Sequence, residues 1–490
     1  MRRGLSLSLL LAATAARAWA APDIVVTYDR SITDSFTGRV YVMLSASGRG
    51  EPRFGPSWFN TAPFFAMDVR DWLPGTPLVF DDNDAVLAYP GPPGTIPPAT
   101  YSIQAVLRRS PDSPFIGRGE GTAYSDVITR ALDGAAGGRV ELAINTLVEA
   151  SPTPDTERVK IVRLRSELLS EFYGRDIVME AAVSLPESYA SGGSARYPAL
   201  YVIPGFGGDH LQAVAWAARS SGPNADRIVK IGLNPLCATG HHAFADSAVN
   251  GPRGRALVEE LIPHLQRTFC LVAAPSARFL TGGSSGGWSS LWLLVTHPDF
   301  FGGAWSLVPD PVDFRSFQSI DLYEHGVNMY RDAAGARRPI ARFGGAVALW
   351  YDDFAAMETV IGEGGQLYSF DAVFSPRDRD GRPVPFFDRA TGAVDPAVIK
   401  AWKRYDIRLL LEERWPAIGA SLSGKIHVFA GEDDTFYLED AVKLLAVSLL
   451  ELGSDAVVEV IPGRNHMTVA DRPMLQRIDR ELLEIFDAVH

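Results

Sequence analysis

Leu280-Thr281-Gly282-Gly283-Ser284-Ser285-Gly286-Gly287-Trp288 is the stretch whose reading decides the fold. Arg278 to Thr281 has the composition of a short buried strand. Ser285 to Thr296 reads as a helix, with Trp288, Leu291, Trp292 and Val295 on helical spacing. A serine between glycines at a strand-to-helix junction is the sequence form of a nucleophile elbow. Small residues two before and two after the serine let the backbone fold back on itself. The hydroxyl is then presented at a helix N-terminus, where the dipole helps hold a developing anion. Two serines satisfy the spacing. Ser284 lies between Gly282 and Gly286, and Ser285 between Gly283 and Gly287. Periodicity does not choose between them.

Outward from this point, strands and helices alternate. Lys160–Leu164 and Ile177–Val183 read as paired opening strands, then Ala199–Ile203 and Ile228–Leu233 as buried ones. Arg255–Phe269 reads as a helix, Lys425–Ala430 as a strand, Leu438–Leu452 as a helix, Val457–Ile461 as a strand and Leu475–Val489 as an amphipathic helix. Continuous apolar strands between helices indicate a mostly parallel, doubly wound sheet covered on both faces. Between Val308 and Lys425 lies far more chain than a crossover needs. The segment 310–422 is expected to be an inserted cap beside the ligand crevice.

A hydrolase serine needs a base and an acid, in the chain order Ser, acid, His. His466 follows the last strand in Ile461-Pro462-Gly463-Arg464-Asn465-His466. The turn after Val428-Phe429-Ala430 offers Glu432, Asp433 and Asp434. The glycine-rich turn Ile203-Pro204-Gly205-Phe206-Gly207-Gly208 is a candidate source of a backbone amide for an oxyanion hole, beside the amide of Ser285. Gly240-His241-His242 follows the fourth strand, which makes His241 and His242 candidate substrate contacts, together with Gly207 and Trp288. No HExxH, CxxC or Walker lysine occurs, so no metal and no cofactor is expected.

The elbow, the P-G-x-x-H loop and the glycine turn resemble those of the putative-esterase family of α/β-hydrolases, which includes esterase D, enterochelin-esterase-like and antigen-85-like proteins. The resemblance covers about residue 156 to the C-terminus, apart from most of the insertion. It implies Ser284 as nucleophile, His466 as base and, through the family's G-x-x-D, Asp434 as acid, with Asp433 as runner-up. It implies Phe206 and Ser285 as amide donors, in a turn where Pro204 replaces the family's His. Gly283 stands where the family usually has a bulky residue. The implied activity is that of a serine esterase acting on a small-molecule or carbohydrate-linked ester. An acyltransferase on the same triad and a non-catalytic carbohydrate- or surface-binding protein are the alternatives.

The chain has 490 residues, 47% of them hydrophobic and 21% charged, which is globular composition and too long for a single ordinary domain. Residues 21–150 read as an N-terminal all-β sandwich, from partly alternating runs such as Val25–Tyr28, Arg39–Leu44 and Tyr101–Leu107 separated by Gly, Pro, Asn and Asp. Trp58, Phe59, Phe64 and Phe65 are expected in its core, and Ser151–Asp155 as a linker to a catalytic domain over 156–490. The net charge of −12 and the lack of a basic run exclude a nucleic-acid footprint. Arg2 and Arg3, the apolar Leu5–Thr14 and the A-x-A of Ala18-Trp19-Ala20 read as a cleavable signal peptide over residues 1–20. A periplasmic or secreted protein follows, with no membrane span. Cys237 and Cys270 are either a disulfide or two buried thiols. The oligomeric state is not legible.

Overall fold

A computed structural model describes residues 22–48, 50–150, 152–189 and 193–490. The leader expected over 1–20 lies outside them. The described chain forms two compact units. The first comprises residues up to 53 together with 62–107 and 124–146. It is all-β, as the alternating runs imply, and its nine strands form one hydrogen-bonded sheet. Strand Asp23–Tyr28 runs parallel to Arg139–Leu147, and Phe36–Ser45 pairs antiparallel with both Phe64–Trp72 and Ala99–Leu107. Ile24, Val26, Val40, Val42, Phe64, Phe65 and Ile103 form its buried core.

The second unit holds 54–61, 108–123 and everything from 147 onward, so the boundary is not the single cut near 150 that composition suggests. Trp58 and Phe59 belong here rather than in the β core. Trp58 is half-buried among catalytic-unit aromatics and Phe59 is 44% exposed, whereas Phe64 and Phe65 are buried as expected. The pleat explains the split. Phe64 and Phe65 open a strand, while Trp58 and Phe59 sit in irregular chain before it.

The unit is built on eight strands: β1 (Val159–Arg165), β2 (Val178–Ser184), β3 (Ala199–Ile203), β4 (Val229–Leu233), β5 (Arg278–Gly283), β6 (Gly303–Leu307), β7 (Ile426–Gly431) and β8 (Val457–Ile461). Their order is β1-β2-β4-β3-β5-β6-β7-β8. The first two pairings in that order are antiparallel and the other five parallel. This is the α/β-hydrolase sheet. β3, β4 and β6 are buried along their whole length and β5 in all but its last residue, which is why they read as apolar runs.

Helices α1 (His210–Ala217), α2 (Ser285–Thr296), α3 (Tyr351–Ile361), α4 (Gln366–Phe374), α5 (Pro396–Trp402), α6 (Ile407–Leu422), α7 (Glu439–Glu451) and α8 (Arg472–Asp487) carry the rest of the argument. On one face Leu200, Val202, Phe279, Trp305 and Phe429 pack with Leu475, Ile478 and Leu482 of α8. The helix expected over 255–269 runs from 253 to 268, with a π-helical middle at Leu257–Leu261.

The chain between β6 and β7 has a core of its own. Phe314, Phe317, Phe374 and Phe386 pack there at tilted or edge-on angles around Trp402, each ring within 6 Å of it. It includes a hairpin, Pro339–Phe343 with Ala346–Trp350, followed by α3, α4 and α5. The last element of 310–422, α6, packs against the elbow helix α2 as a crossover helix does. Cys237 and Cys270 are both free thiols. Among the described residues no helix is long and apolar enough to cross a membrane.

Candidate active site

The elbow forms where β5 meets α2. Ser284 has φ 59° and ψ −126°, a strained conformation that L-residues rarely adopt. Its amide donates to Leu307 O of β6 at 3.0 Å, which anchors the turn. The glycines are required by contact. A Cβ on Gly286 would run into the carbonyl oxygens of Ile203 and Pro204, and one on Gly282 into the backbone of Gly286. Ser284 faces a cleft, whereas Ser285 is the first residue of α2, is 4% exposed and turns its hydroxyl inward. The geometry thus separates two serines that the spacing left equivalent.

The cleft has a volume of about 580 Å³, and Ser284 shares it with Phe206, Gly207, Asp310 and His466. His466 Nδ1 and Asp434 Oδ2 are 3.0 Å apart. Asp434 is fully buried, and its other oxygen accepts the Phe436 amide at 2.9 Å. These contacts hold the carboxylate toward the imidazole. Asp433 and Glu432 point to solvent, so the structure brings only one of the three neighbouring carboxylates to the histidine. Ser284 Oγ is not bonded to His466. It donates to Asp310 Oδ1 at 3.3 Å.

The turn after β3 lies against the elbow. A Cβ on Gly205 would meet Ser284 Cβ and the Gly283 carbonyl oxygen, each at 3.2 Å. Gly207 sits at φ 77°, and Gly208 N–H donates back to Gly205 O. The chain then enters α1, capped by the Asp209 side chain. Neither the Phe206 amide nor the Ser285 amide has a backbone partner among the described residues, which leaves two donors beside the serine.

Three expected contacts lie elsewhere. His241 and His242 are each 2% exposed and do not line the cleft. His241 Nε2 donates to Pro204 O at 3.0 Å, its Nδ1 accepts the Ala243 amide, and Ser369 of α4 clasps its backbone. It supports the glycine turn from behind, and burial lowers its pKa to about 4, so it is neutral there. His242 is likewise held neutral by burial. Trp288 is core: it stacks on Trp292 and meets Phe374 edge-on, because α2 buries that face under the inserted chain.

Two features escaped the sequence reading. Trp58 stacks on Phe206 at 5.7 Å and meets Phe354 and Phe436 edge-on, forming an aromatic wall of the cleft. Phe436 in turn meets the His466 ring edge-on at 4.9 Å. Asp310 is buried against Ser284. Its one sequence signal is its place just beyond the C-terminal end of a parallel strand, where crevice residues collect.

A family model described as putative esterase matches residues 175–466, more than half of the chain. The chain belongs to the putative-esterase family. It is a serine hydrolase of the ester-cleaving type, built on the α/β-hydrolase fold. No curated protein sequence matches it. Among solved structures it is similar to a ferulic acid esterase at 14% identity, covering 67% of this chain and 99% of that one with a TM-score of 0.42. It is also similar to the S-formylglutathione hydrolase FrmB of Staphylococcus aureus at 14% identity, 67% and 98% coverage and a TM-score of 0.39. The S-formylglutathione hydrolase of Agrobacterium tumefaciens matches at 14% identity, 69% and 99% coverage and a TM-score of 0.38.

Proposed function

We propose that this esterase-family chain hydrolyses a carboxylic ester through Ser284, His466 and Asp434. The observation that carries the reading is the strained elbow, which turns Ser284 into a cleft shared with a histidine already bonded to a buried aspartate. Asp434 accepts the Nδ1 proton, fixes the tautomer and leaves Nε2 as the base. His466 takes the proton of Ser284 as the oxygen attacks the ester carbonyl. The negative charge passes to the carbonyl oxygen, which is received by the Phe206 and Ser285 amides. The imidazolium protonates the departing alcohol, and a water activated by the same nitrogen cleaves the acyl-enzyme.

The inserted chain acts as the cap that shapes the pocket. Gln318, Ile340, Phe354, Gln366, Leu367 and Phe370 line the cleft from it. Its volume and aromatic wall suit a small-molecule or carbohydrate-linked ester with a compact apolar group beside the carbonyl. The leader-like N-terminus supports action outside the cytoplasm.

Intact-mass labelling with a fluorophosphonate tests the assignment. One adduct is expected on the wild-type protein and on Ser285→Ala, and none on Ser284→Ala, with esterase turnover in Ser284→Ala lower by about 10³-fold or more. An adduct that persists in Ser284→Ala would remove the serine from its role.

A further inference from the structure

Asp310 takes no part in the steps above, yet it bonds Ser284 at two atoms and the neighbouring Ser285 at a third. Val308, at φ 40°, bends the chain out of β6, and Pro309 follows. The Asp310 amide then donates to Ser284 O at 3.2 Å. Its carboxylate accepts Ser285 Oγ at 2.5 Å and Ser284 Oγ at 3.3 Å. An uncharged acceptor would hold both hydroxyls at less desolvation cost, so a buried carboxylate here calls for a use of its charge. Burial pushes its pKa up to about 6, against the pull of the Ser285 bond, His466 and the Ser284 bond, while Asp434 adds to the rise. The titratable groups that bear on it are thus His466, from the loop after β8, and Asp434, from the loop after β7. From the elbow come only the two hydroxyls, and the inserted chain adds the uncharged Gln318 and Gln366 to the same cleft. Asp310 is the anion at neutral pH.

We propose that Asp310 is a positioning residue for the nucleophile and a second counter-charge for the base: its carboxylate holds the Ser284 hydroxyl in the free enzyme, then balances the His466 imidazolium once the proton has moved. The proposal rests on the Ser284, His466 and Asp434 reading. When an ester carbonyl enters, the Ser284 O–H turns from Asp310 to Nε2 of His466. The O–H bond breaks as N–H forms, the serine oxygen bonds the carbonyl carbon, and the π pair goes to the carbonyl oxygen. The positive imidazolium is then balanced by two carboxylates, Asp434 at its Nδ1 and Asp310 in the same cleft, the latter still held by Ser285. Ionised Asp310 and protonated His466 favour each other by the same free energy, because their coupling is reciprocal. Protonating Asp310 therefore removes stabilisation from the transition state and adds a step of its own to the acid limb.

The test is kcat/KM for p-nitrophenyl acetate against pH on the full chain, for the wild type, Asp310→Asn and Ser285→Ala, between about pH 5 and 9. Fluorophosphonate labelling of the wild type runs beside it. In the wild type the acid limb should be steeper than one proton. In Asp310→Asn it should fall with one proton and lie at lower pH, on a plateau about tenfold lower that is carried by kcat rather than KM. Ser285→Ala removes a bond that pulls Asp310 down, so the Asp310 step should move to higher pH. Profiles that superimpose, or that differ only by a constant factor, overturn the proposal and leave Asp310 a packing residue. If Asp310→Asn does not fold, Ser285→Ala decides alone: an upward displacement supports the proposal, and an unmoved limb overturns it. A wild type with no Ser284 adduct overturns the triad reading and this proposal with it. An adduct accompanied by unmoved profiles overturns this proposal alone.

Discussion

At the scale of single residues, the elbow shows which glycines are there for contact and which are not. Gly286 faces the carbonyls of Ile203 and Pro204, and the turn can approach β3 only without a side chain there. Gly283, by contrast, would place a Cβ no nearer than 4.0 Å to its closest neighbour, the Leu307 carbonyl oxygen. The turn therefore does not require a glycine at 283. Gly286→Ala is expected to cost about 1–3 kcal/mol or more and to abolish labelling of Ser284, whereas Gly283→Ala should stay within about 0.5 kcal/mol and keep the adduct. Urea denaturation with fluorophosphonate labelling checks both. Ser284, His466 and Asp434 stand out as candidates because each follows a strand in a recognisable turn, although spacing alone leaves Ser284 and Ser285, and Asp433 and Asp434, equivalent. Asp310 does not stand out, because its neighbours Ser284 and Ser285 are distant in sequence and only the parallel pairing of β5 with β6 brings them together.

At the scale of elements, the inserted chain is held by a buried carboxylate. Glu358 of α3 accepts the amides of Gln366 and Leu367 at 2.9 Å each, which caps α4 from a neighbouring helix. Gly365 permits the approach, since a Cβ there would strike the carboxylate. Burial pushes Glu358 up to about 7, against the pull of those two amides. A carboxyl raised in the folded state contributes most below its unfolded value of about 4.5, and that contribution is lost as pH rises through about 7. Glu358→Ala leaves two buried amides unpaired and is expected to cost about 2 kcal/mol or more in acid, with the deficit shrinking as pH rises toward 7. Chemical denaturation of both proteins across that range measures it. Because α4 supplies Gln366, Leu367 and Phe370 to the cleft, the same variant should raise KM more than it lowers kcat.

At the scale of the molecule, the C-terminal helix is tied to the sheet by charge as well as by apolar packing. Lys230 of β4 and Asp479 of α8 are 2.8 Å apart and almost wholly buried, and Ser220 bonds to both. The lysine also donates to Ala217 O, so its three N–H donors are all engaged. Asp479→Ala strands a buried ammonium and is expected to cost about 3–5 kcal/mol, while the double variant Lys230→Met/Asp479→Leu should recover most of that. A double-mutant cycle by thermal or urea unfolding reads the coupling. The two compact units were legible only in outline. Alternation marked the β region and unbroken apolar runs marked the buried sheet, but composition cannot show that 54–61 and 108–123 belong with the catalytic unit.

The sequence by itself determined the α/β-hydrolase sheet, the chain order of Ser284, Asp434 and His466 at strand ends, and the glycine turn after β3. Each of these depends on local chemistry: strand hydrophobicity, tight-turn sterics and the residue type at a strand end. Tertiary structure decided what depends on proximity across the chain. It turned Ser284 rather than Ser285 to the cleft, joined Asp434 rather than Asp433 to His466 and buried His241, His242 and Trp288 as supports. It also set Trp58 in the cleft wall and Asp310 against the nucleophile, because contacts between distant segments leave no periodic trace in either one.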